Sequence, residues 1–303
     1  ENDVLDYVYI PSNAHAVNAA SGFRETEIDE NDSTILKRTS VAFDDDMTGS
    51  VLKGYFIEGS LDSVRLEGMA TTLYHVFEDS VYQGNNLASG DTIILSFKKK
   101  DSAEVNLENI FISGGSRGVF TPDTSNKDME TPVIYTSDEI LYDMHTETSD
   151  LTGEANIKYT DVDLSSGFIN VDWNKNLLKA FPTAPLDTIA EPKKPTIIER
   201  GRDPMVGDTL VYNLKSRKGR VKQGRSKADD GYYTGNEIRN NDKKVYYIEN
   251  SSYTTCDLET PHFLTWKGIV EEMFDGELEI TPMKTLFPSD EGWRQQKPGL
   301  LDW

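Results

Sequence analysis

The sequence has few of the residues that build disulfides, metal sites or membrane helices. A single cysteine, Cys256, excludes an internal disulfide framework and a cysteine-rich zinc site. The four histidines are scattered, so a multi-histidine metal centre is not expected. The longest apolar runs are a few residues, such as Ile93-Ile94-Leu95, whereas a membrane-spanning helix needs about 20. We therefore predict no metal, no cofactor and no membrane helix.

Basic residues are also scarce. The chain has 31 basic residues against 52 acidic ones and a formal net charge of -21. Because nucleic acid is bound by a surplus of Lys and Arg that displaces counterions, this composition argues against a nucleic-acid partner. The length of 303 residues suits one large β domain or two smaller ones. The chain begins Glu1-Asn2-Asp3, without Met or an apolar leader, which suggests a processed or shortened protein.

The strongest pattern is an alternation of apolar and other residues with a period of two. Such alternation is typical of a strand with one buried face, so it predicts an all-β fold. Four segments show it, and in each the alternate positions are apolar and the last one is large. These positions are Ile93, Leu95 and Phe97; Ile140, Tyr142 and Met144; Ile169, Val171 and Trp173; and Leu210, Tyr212 and Leu214.

A second pattern, apolar-x-Gly-x-small, occurs between these segments. It appears at residues 66–70, 112–116 and 151–155. Glycine inside a strand usually marks a bulge or a close backbone approach, so we predict one or the other at these places. The uneven spacing of the four alternating segments indicates a loose repeat with insertions, since solenoids keep a tighter period.

The alternation fails in several places. The polar residues from Pro122 to Pro132 and the proline-rich residues from Phe181 to Pro195 predict loops. The pattern is poor before residue 40. After Thr265 the apolar residues have helical spacing, and Gly276 suits a helix C-cap. The residues with helical spacing are Ile269, Val270, Met273 and Phe274.

Several of these stretches resemble a known family. The stretch that contains Asp46-Met47-Thr48-Gly49, Tyr74-His75-Val76 and Ala88-Ser89-Gly90-Asp91-Thr92 resembles OstA-like proteins related to LptA. A second stretch resembles the N-terminal periplasmic domain of LptD, the lipopolysaccharide-assembly protein. It contains residues 207–213, Lys218-Gly219-Arg220, residues 231–235 and Ser252-Tyr253-Thr254-Thr255-Cys256.

The resemblance implies a fold and a division of the chain. The implied fold is an elongated OstA-type β-jellyroll, a V-shaped sheet of short stacked antiparallel strands with an apolar interior. Residues 1–44 then form a poorly patterned N-terminal segment, and residues 45–130 form the OstA/LptA-like part. Residues 131–262 form the LptD-like part, and residues 263–303 form a short mixed C-terminal segment without a barrel. Either the chain is a fragment of an LptD or it is a jellyroll protein without a barrel.

The resemblance also implies a function that is not enzymatic. Proteins of this family bind lipopolysaccharide and pass it across the periplasm of Gram-negative bacteria toward the outer membrane. The implied partners are the acyl chains of lipid A, other Lpt jellyrolls that join through sheet edges, and an outer-membrane β-barrel. Cys256 matches a position where relatives use a disulfide, which cannot form within this chain because it has no second cysteine. The twelve alternating apolar residues of the four segments are the candidate wall of the lipid groove, or else they fill a closed core.

A basic segment lies between Lys215 and Lys227 of this acidic chain. On a strand, Lys218, Arg220 and Lys222 share one face, opposite Gly219 and Val221. These three side chains are candidates for binding the phosphates of a lipid headgroup. The alternative is a solvated hairpin face whose charges balance nearby carboxylates.

Other motifs have simpler explanations. Gly114-Gly115-Ser116-Arg117-Gly118 fits the G-x-S-x-G pattern of hydrolases, but no helix is expected after it. The segment that starts at Asp161 lacks the glycine and glutamate of a calcium loop at the required positions. We interpret Asp44-Asp45-Asp46 as a solvated turn and His75 as a strand residue. The rival functions are a polysaccharide-active enzyme on a parallel β-helix and a structural or adhesin module.

Overall fold

A computed structural model describes residues 5–30, 33–99, 105–126, 129–183, 192–199, 203–228, 231–240, 246–258, 266–272 and 278–281. Within these ranges the regular secondary structure is β-strand, so the predicted all-β class is confirmed. No helix within these ranges has the length and hydropathy needed to span a membrane.

The contacts divide the chain into two compact units. Unit 1 contains residues 1–160 and 170–174, and unit 2 contains residues 161–169 and 175–303. Strand β10 (Val162–Asp172) contributes to both units.

Unit 1 contains the longest strands of the chain, of up to 19 residues. Its strands are β1 (Tyr7–Ile10), β2 (Ala14–Glu30), β3 (Ser33–Gly49), β4 (Val51–Ile57), β5 (Ser60–Glu78), β6 (Val81–Lys99), β7 (Val105–Pro122), β8 (Val133–Asp143) and β9 (Thr148–Tyr159). Antiparallel pairing runs from β1 to β4 and then through β5, β6, β7 and β8 to β9.

Strands β4 and β3 pair with different parts of β5, and the pairing through β3 closes a ring of four strands. The first part of β5 pairs with β4, whereas Thr71–Leu73 pairs with Asp46–Thr48 of β3. Strand β3 also pairs with β2 along its whole length, and one parallel bridge between Phe23 and Val81 joins β2 to β6. The strands β2, β3, β5 and β6 therefore close on themselves at one end of unit 1.

Unit 2 is built from shorter strands. They are β11 (Leu177–Phe181), β12 (Thr196–Glu199), β13 (Met205–Val206), β14 (Thr209–Asn213), β15 (Lys218–Ala228), β16 (Gly231–Asn240), β17 (Tyr246–Thr254), β18 (Trp266–Glu272) and β19 (Leu278–Thr281). Strands β14 to β19 pair in sequence order, β11 pairs with β14, and β13 bridges β12 and β15. All of these pairs are antiparallel.

The three glycine motifs form bulges in unit 1, one of the two predicted alternatives. Gly68, Gly114 and Gly153 have φ angles of 75°, 82° and 73°, in the left-handed region that glycine tolerates. The pairing registers of β5 with β6, β7 with both neighbours, and β8 with β9 all shift at these glycines. Because the three glycines lie on alternate strands, the shifts line up across the sheet. We call this line of shifts the crease.

Near both ends of the described chain, the secondary structure differs from that predicted from the sequence. The helix expected from Ile269 and Val270 is wrong, because both residues lie in strand β18, which pairs with β17 and β19. Met273, Phe274 and Gly276 lie outside the described residues. At the other end, the poorly patterned first 44 residues contain β1, β2 and most of β3. Their pattern is poor because the side chains of residues 15–26 and 36–44 are exposed or half-buried on both faces.

The two expected loops lie between strands. Strand β7 ends at Pro122 and β8 begins at Val133, while β11 ends at Phe181 and β12 begins at Thr196. The first loop is anchored by Asp123, whose carboxylate accepts hydrogen bonds from Ser125 and from the Arg24 guanidinium.

Candidate functional site: the apolar rows inside the sheet

One row of aliphatic side chains crosses unit 1 at right angles to its strands. The cross-strand partners in this row all point to the same face, because directly opposed residues of antiparallel strands do so. The row consists of Leu52, Leu66, Ile93, Ile112, Ile140 and Leu151. Each of these six side chains is at most 5% exposed. We call them the first row.

A second row runs beside the first. It consists of Val64, Leu95, Ile110, Tyr142 and Ser149. Tyr142 is half-buried, and the pKa of its phenol is raised mainly by burial, with a smaller contribution from Glu147. The structure therefore brings together four of the predicted wall residues, two in each row.

The last candidates of the first two alternating segments, Phe97 and Met144, lie outside both rows. Phe97 is half-buried and follows a register shift between β6 and β7, so it leaves the second row. Met144 is half-buried in the turn after β8, where its backbone N–H donates to the carbonyl of Glu108. Sequence alternation does not reveal either displacement, because a bulge changes which face a residue points to.

A third row lies on the opposite side of the crease. It consists of Thr72, Ala88, Gly118, Tyr135 and Ile157. The Tyr135 hydroxyl donates to Asn86 Oδ1 at 2.7 Å, and burial raises the pKa of this phenol to about 12. Gly118 leaves space for the Tyr135 ring, which lies directly against its Cα.

Trp173 and Val171 also belong to unit 1. Val171 is completely buried, and Trp173 is half-buried. The Trp173 indole donates from Nε1 to Ser149 Oγ at 2.7 Å, at the end of the second row. Its ring centroid is 6.3 Å from that of Phe120. Trp173 thus contacts the second row through its indole N–H and contacts Phe120 through its ring.

Unit 2 has a comparable row of its own. It consists of Ala180, Leu210, Val221, Ile238 and Ile248. All five side chains are buried. Of the predicted wall residues of unit 2, Leu210 lies in this row, while Ile169 and Leu214 are buried elsewhere in the unit.

Tyr212 differs from the other candidates because its hydroxyl belongs to a buried polar network. The hydroxyl donates to Glu199 Oε1 at 3.1 Å, and Asn240 Nδ2 lies 3.1 Å from both carboxylate oxygens of Glu199. Arg217 contacts both Tyr212 and Asp161. Burial and the neighbouring Glu199 carboxylate raise the pKa of Tyr212. A polar network of this kind fixes a core, so it does not favour Tyr212 as a wall for acyl chains.

The basic candidates lie on the outer face of unit 2. Lys218, Arg220 and Lys222 are exposed on β15, opposite the buried Val221. Arg220 Nε lies 3.9 Å from a carboxylate oxygen of Glu237, which also accepts a hydrogen bond from Arg239. These contacts resemble the balanced hairpin face more than an anion site, and binding of a headgroup phosphate stays a prediction.

One polar site was not found from the sequence. Asp45, interpreted above as part of a solvated turn, is only 4% exposed. Its Oδ1 accepts hydrogen bonds from the backbone N–H of His75 at 2.7 Å and from His75 Nδ1 at 2.9 Å. The His75 ring stacks on Phe43 at 4.4 Å. The solvated-turn interpretation of Asp45 is therefore wrong, because β3 carries it against β5; no local pattern signals that pairing.

The two catalytic or metal motifs form no site of those kinds. Gly114 and Gly115 form the bulge of β7, and Ser116 is buried and donates to the Asp138 carbonyl at 3.1 Å. A strand rather than a helix follows this serine. Among the residues that the structure describes, no three His, Cys, Asp or Glu side chains are grouped closely enough to hold a metal ion.

Comparison with known proteins gives little further support. No family model matches the chain, and no curated protein matches it. Among solved structures, the chain is similar to LptH from Pseudomonas aeruginosa, the LptA-homologous periplasmic component of a lipopolysaccharide transport device. The identity is 14%, the TM-score is 0.35, and the similarity covers 45% of this chain and 83% of LptH. A likeness this weak does not establish a shared function.

Proposed function

We propose that unit 1 binds the acyl chains of lipopolysaccharide along its interior rows and passes the lipid across the periplasm toward the outer membrane. The observation that carries the proposal is the first row, with six aliphatic residues on six consecutively paired strands. Five strand spacings of about 4.8 Å make this row about 24 Å long. Such a row offers a straight apolar track, which suits an acyl chain better than a compact ligand.

The driving force is the burial of the acyl chain. Each buried methylene contributes about 0.8 kcal/mol, so ten of them contribute about 8 kcal/mol before the cost of immobilising the lipid. Because the first-row side chains are at most 5% exposed, acyl chains reach them only when the side chains that cover them part. The proposal therefore requires the interior of unit 1 to open when lipid enters.

The remaining parts of the proposal follow from the resemblance of the sequence. We expect the protein to contact other Lpt jellyrolls through open sheet edges, where unpaired backbone groups accept an added strand. An outer-membrane β-barrel is the expected recipient, and catalysis forms no part of this function. The LptD-like character of residues 131–262 and the phosphate contact at Lys218, Arg220 and Lys222 belong to the same proposal.

Strand pairing argues against one of the two rival functions and leaves the other open. A parallel β-helix does not fit, because β5 to β9 and β14 to β19 pair antiparallel in sequence order. The parallel pairing of β2 with β6 is one bridge, between Phe23 and Val81. A structural or adhesin module has the same antiparallel strands but a permanently closed interior. The labelling experiment below separates that module from a lipid carrier.

The test is photo-crosslinking with a benzophenone amino acid at Tyr142, followed by detection of attached lipopolysaccharide. Leu141 is the matched control, because it is the adjacent residue of β8, points to the outer face and is 41% exposed. We expect labelling at Tyr142 and little at Leu141. Equal labelling at both positions, or none at Tyr142 in a folded protein, would exclude the interior as the lipid site.

A third crosslinking probe, at Tyr212, tests which unit contains the lipid path. Because the Tyr212 hydroxyl is bound to Glu199 in a buried network, we expect no lipid attachment there. Labelling at Tyr212 as strong as that at Tyr142 would move the lipid path into unit 2.

A further inference from the structure

The outer face of unit 1 carries an apolar row that the interior does not use. Cross-strand pairing places Leu73, Leu87, Val119 and Ile134 side by side on β5, β6, β7 and β8. Leu87 is 50% exposed and Ile134 is 37% exposed, while the other two are half-buried. Their neighbours along the same strands form the buried third row, so the four side chains point away from the interior.

The two ends of this row carry opposite charges. Asp46 on β3 is the partner of Leu73, and Lys158 on β9 is the partner of Ile134. Across the six strands, the row therefore consists of Asp46, the four apolar residues and Lys158. Five strand spacings give it a length of about 24 Å. We call these six residues the outer strip.

The rows that border the outer strip are largely polar. On one side lie Thr71, Ser89, Arg117 and Thr136, which are paired with one another across the same four strands. On the other side, Asn85 is paired with Thr121 and with His75, whose ring is buried against Phe43 of β3. An exposed apolar patch with a polar rim is typical of an interaction surface.

We propose that the outer strip is the surface on which a second copy of this chain packs, face to face, about a two-fold axis parallel to the strands. This axis reverses the strip, so Leu87 of one copy meets Val119 of the other, and Leu73 meets Ile134. The same rotation places Asp46 of each copy beside Lys158 of the other. A two-fold interface must be self-complementary, and the order of charges along this strip meets that requirement.

The alternative two-fold axis, parallel to the strip, is disfavoured by the same charges. It would bring Asp46 against its own copy and Lys158 against its own copy, and like charges across an interface are costly. The Asp46 carboxylate also accepts from His15 Nε2 at 2.6 Å, on an exposed part of the same unit. The charge pattern thus selects one of the two orientations.

The first measurement is sedimentation equilibrium of the full chain over a range of concentrations. Each copy has a formal charge of -21, so we would use about 0.15 M salt, where charges more than about 8 Å apart are largely screened. We expect a reversible dimer. A monomer at every concentration overturns the proposal.

Leu87→Lys tests the strip, because it places a charge near the two-fold axis in each copy. We expect the dimer dissociation constant to rise at least about tenfold. Met69→Lys is the matched control, since Met69 is an exposed apolar residue outside the strip, with 81% of its surface accessible. A dimer that Leu87→Lys leaves unchanged contradicts the proposal, provided that circular dichroism shows a folded variant.

Cysteine pairs test the orientation without a destabilising charge. In a Cys256→Ser background, a mixture of Leu73→Cys and Ile134→Cys chains should be joined between copies by a short bis-maleimide, because sheets packed face to face lie about 10 Å apart, beyond the reach of a disulfide. Leu73→Cys alone should not, because the proposed axis keeps the two Leu73 residues apart. Cross-linking of Leu73→Cys to itself, or none in the mixture, overturns the proposed axis.

A lipid surface is the competing occupant of the strip. If the chain is monomeric and binds phosphatidylcholine vesicles, and Leu87→Lys abolishes that binding, the strip contacts lipid and the dimer proposal is wrong. None of these readouts depends on photo-crosslinking of lipopolysaccharide at Tyr142, so the proposed function and this inference can fail independently.

Discussion

Each unit buries a row of aliphatic side chains, but the two units differ in the length of their strands and in the polar groups beside the row. Unit 1 uses strands of up to 19 residues, and its first row contains only aliphatic side chains. Unit 2 uses described strands of at most 11 residues, and its buried row lies beside the network of Tyr212, Glu199 and Asn240. A wall made only of aliphatic groups can separate and close again without breaking hydrogen bonds. A wall anchored by a buried carboxylate cannot, and this difference is why we propose the lipid path in unit 1.

The largest expected effect comes from truncating one residue in each row. Ile112→Ala in unit 1 and Ile238→Ala in unit 2 should each lower the free energy of unfolding by about 2–5 kcal/mol, because both side chains are buried. Urea denaturation measures the loss. We also expect Ile112→Ala to reduce lipid labelling at Tyr142 and Ile238→Ala to leave it unchanged. The reverse outcome would remove the functional distinction between the units.

A smaller effect is expected from Tyr212→Phe, which removes one donor from the Glu199 carboxylate. The loss should be about 1–3 kcal/mol, because a buried acceptor loses a partner while Asn240 still donates to it. Denaturant unfolding of the variant and of Tyr233→Phe, a second buried tyrosine of unit 2, provides the comparison. A stability equal to that of the unchanged chain would mean that the network does not hold unit 2 together.

The crease of unit 1 offers a matched pair of glycines. Gly114 and Gly115 both have left-handed φ angles, of 82° and 68°. A Cβ at Gly115 would meet nothing within 4 Å, whereas one at Gly114 would lie 2.5 Å from the Asp91 Cβ. Gly115→Ala should therefore cost only the backbone strain, about 1 kcal/mol. Gly114→Ala should cost about 1 kcal/mol more than that. Equal losses in thermal unfolding would contradict the close packing assigned to the crease.

The effect of alkaline pH should be the smallest, since it is absent near neutrality. Burial raises the pKa of Tyr135 to about 12, above the value of about 10 for a tyrosine in an unfolded chain. The folded state then holds this proton more tightly, so the contribution to stability is complete below pH 10 and is lost as pH rises toward 12. Tyr135→Phe should flatten this part of the stability curve. An unchanged pH dependence would show that Tyr135 does not ionise with unfolding.

Sequence reasoning predicted the fold class and four of the eleven residues in the first and second rows of unit 1. The alternating segments that begin near Gly90 and Ser137 correspond to the second parts of β6 and β8. The first parts were missed because the inward-pointing residues change parity at the crease, from Ala88 to Ile93 on β6 and from Tyr135 to Ile140 on β8. A pattern with a period of two cannot be followed through such a change.

Other residues were missed although the sequence contained a signal for them. Leu66, Ile112 and Leu151 belong to the first row, and each is the apolar residue that opens an apolar-x-Gly-x-small motif. The motif predicts a bulge or a close backbone approach, and the residue two positions earlier could have been assigned to the interior. The pairing of Asp45 with His75 had no such signal, because it depends on contacts between residues 30 positions apart.

The crease also fixes how the long strands of unit 1 align. A strand of 19 residues with apolar side chains on both faces has several similar registers, and slipping by two residues would keep every side chain on its own face. Such a slip would move the left-handed positions of Gly68, Gly114 and Gly153 onto residues with a β-carbon, at a cost on each strand. The three glycines therefore restrict the assembling sheet to one pairing register.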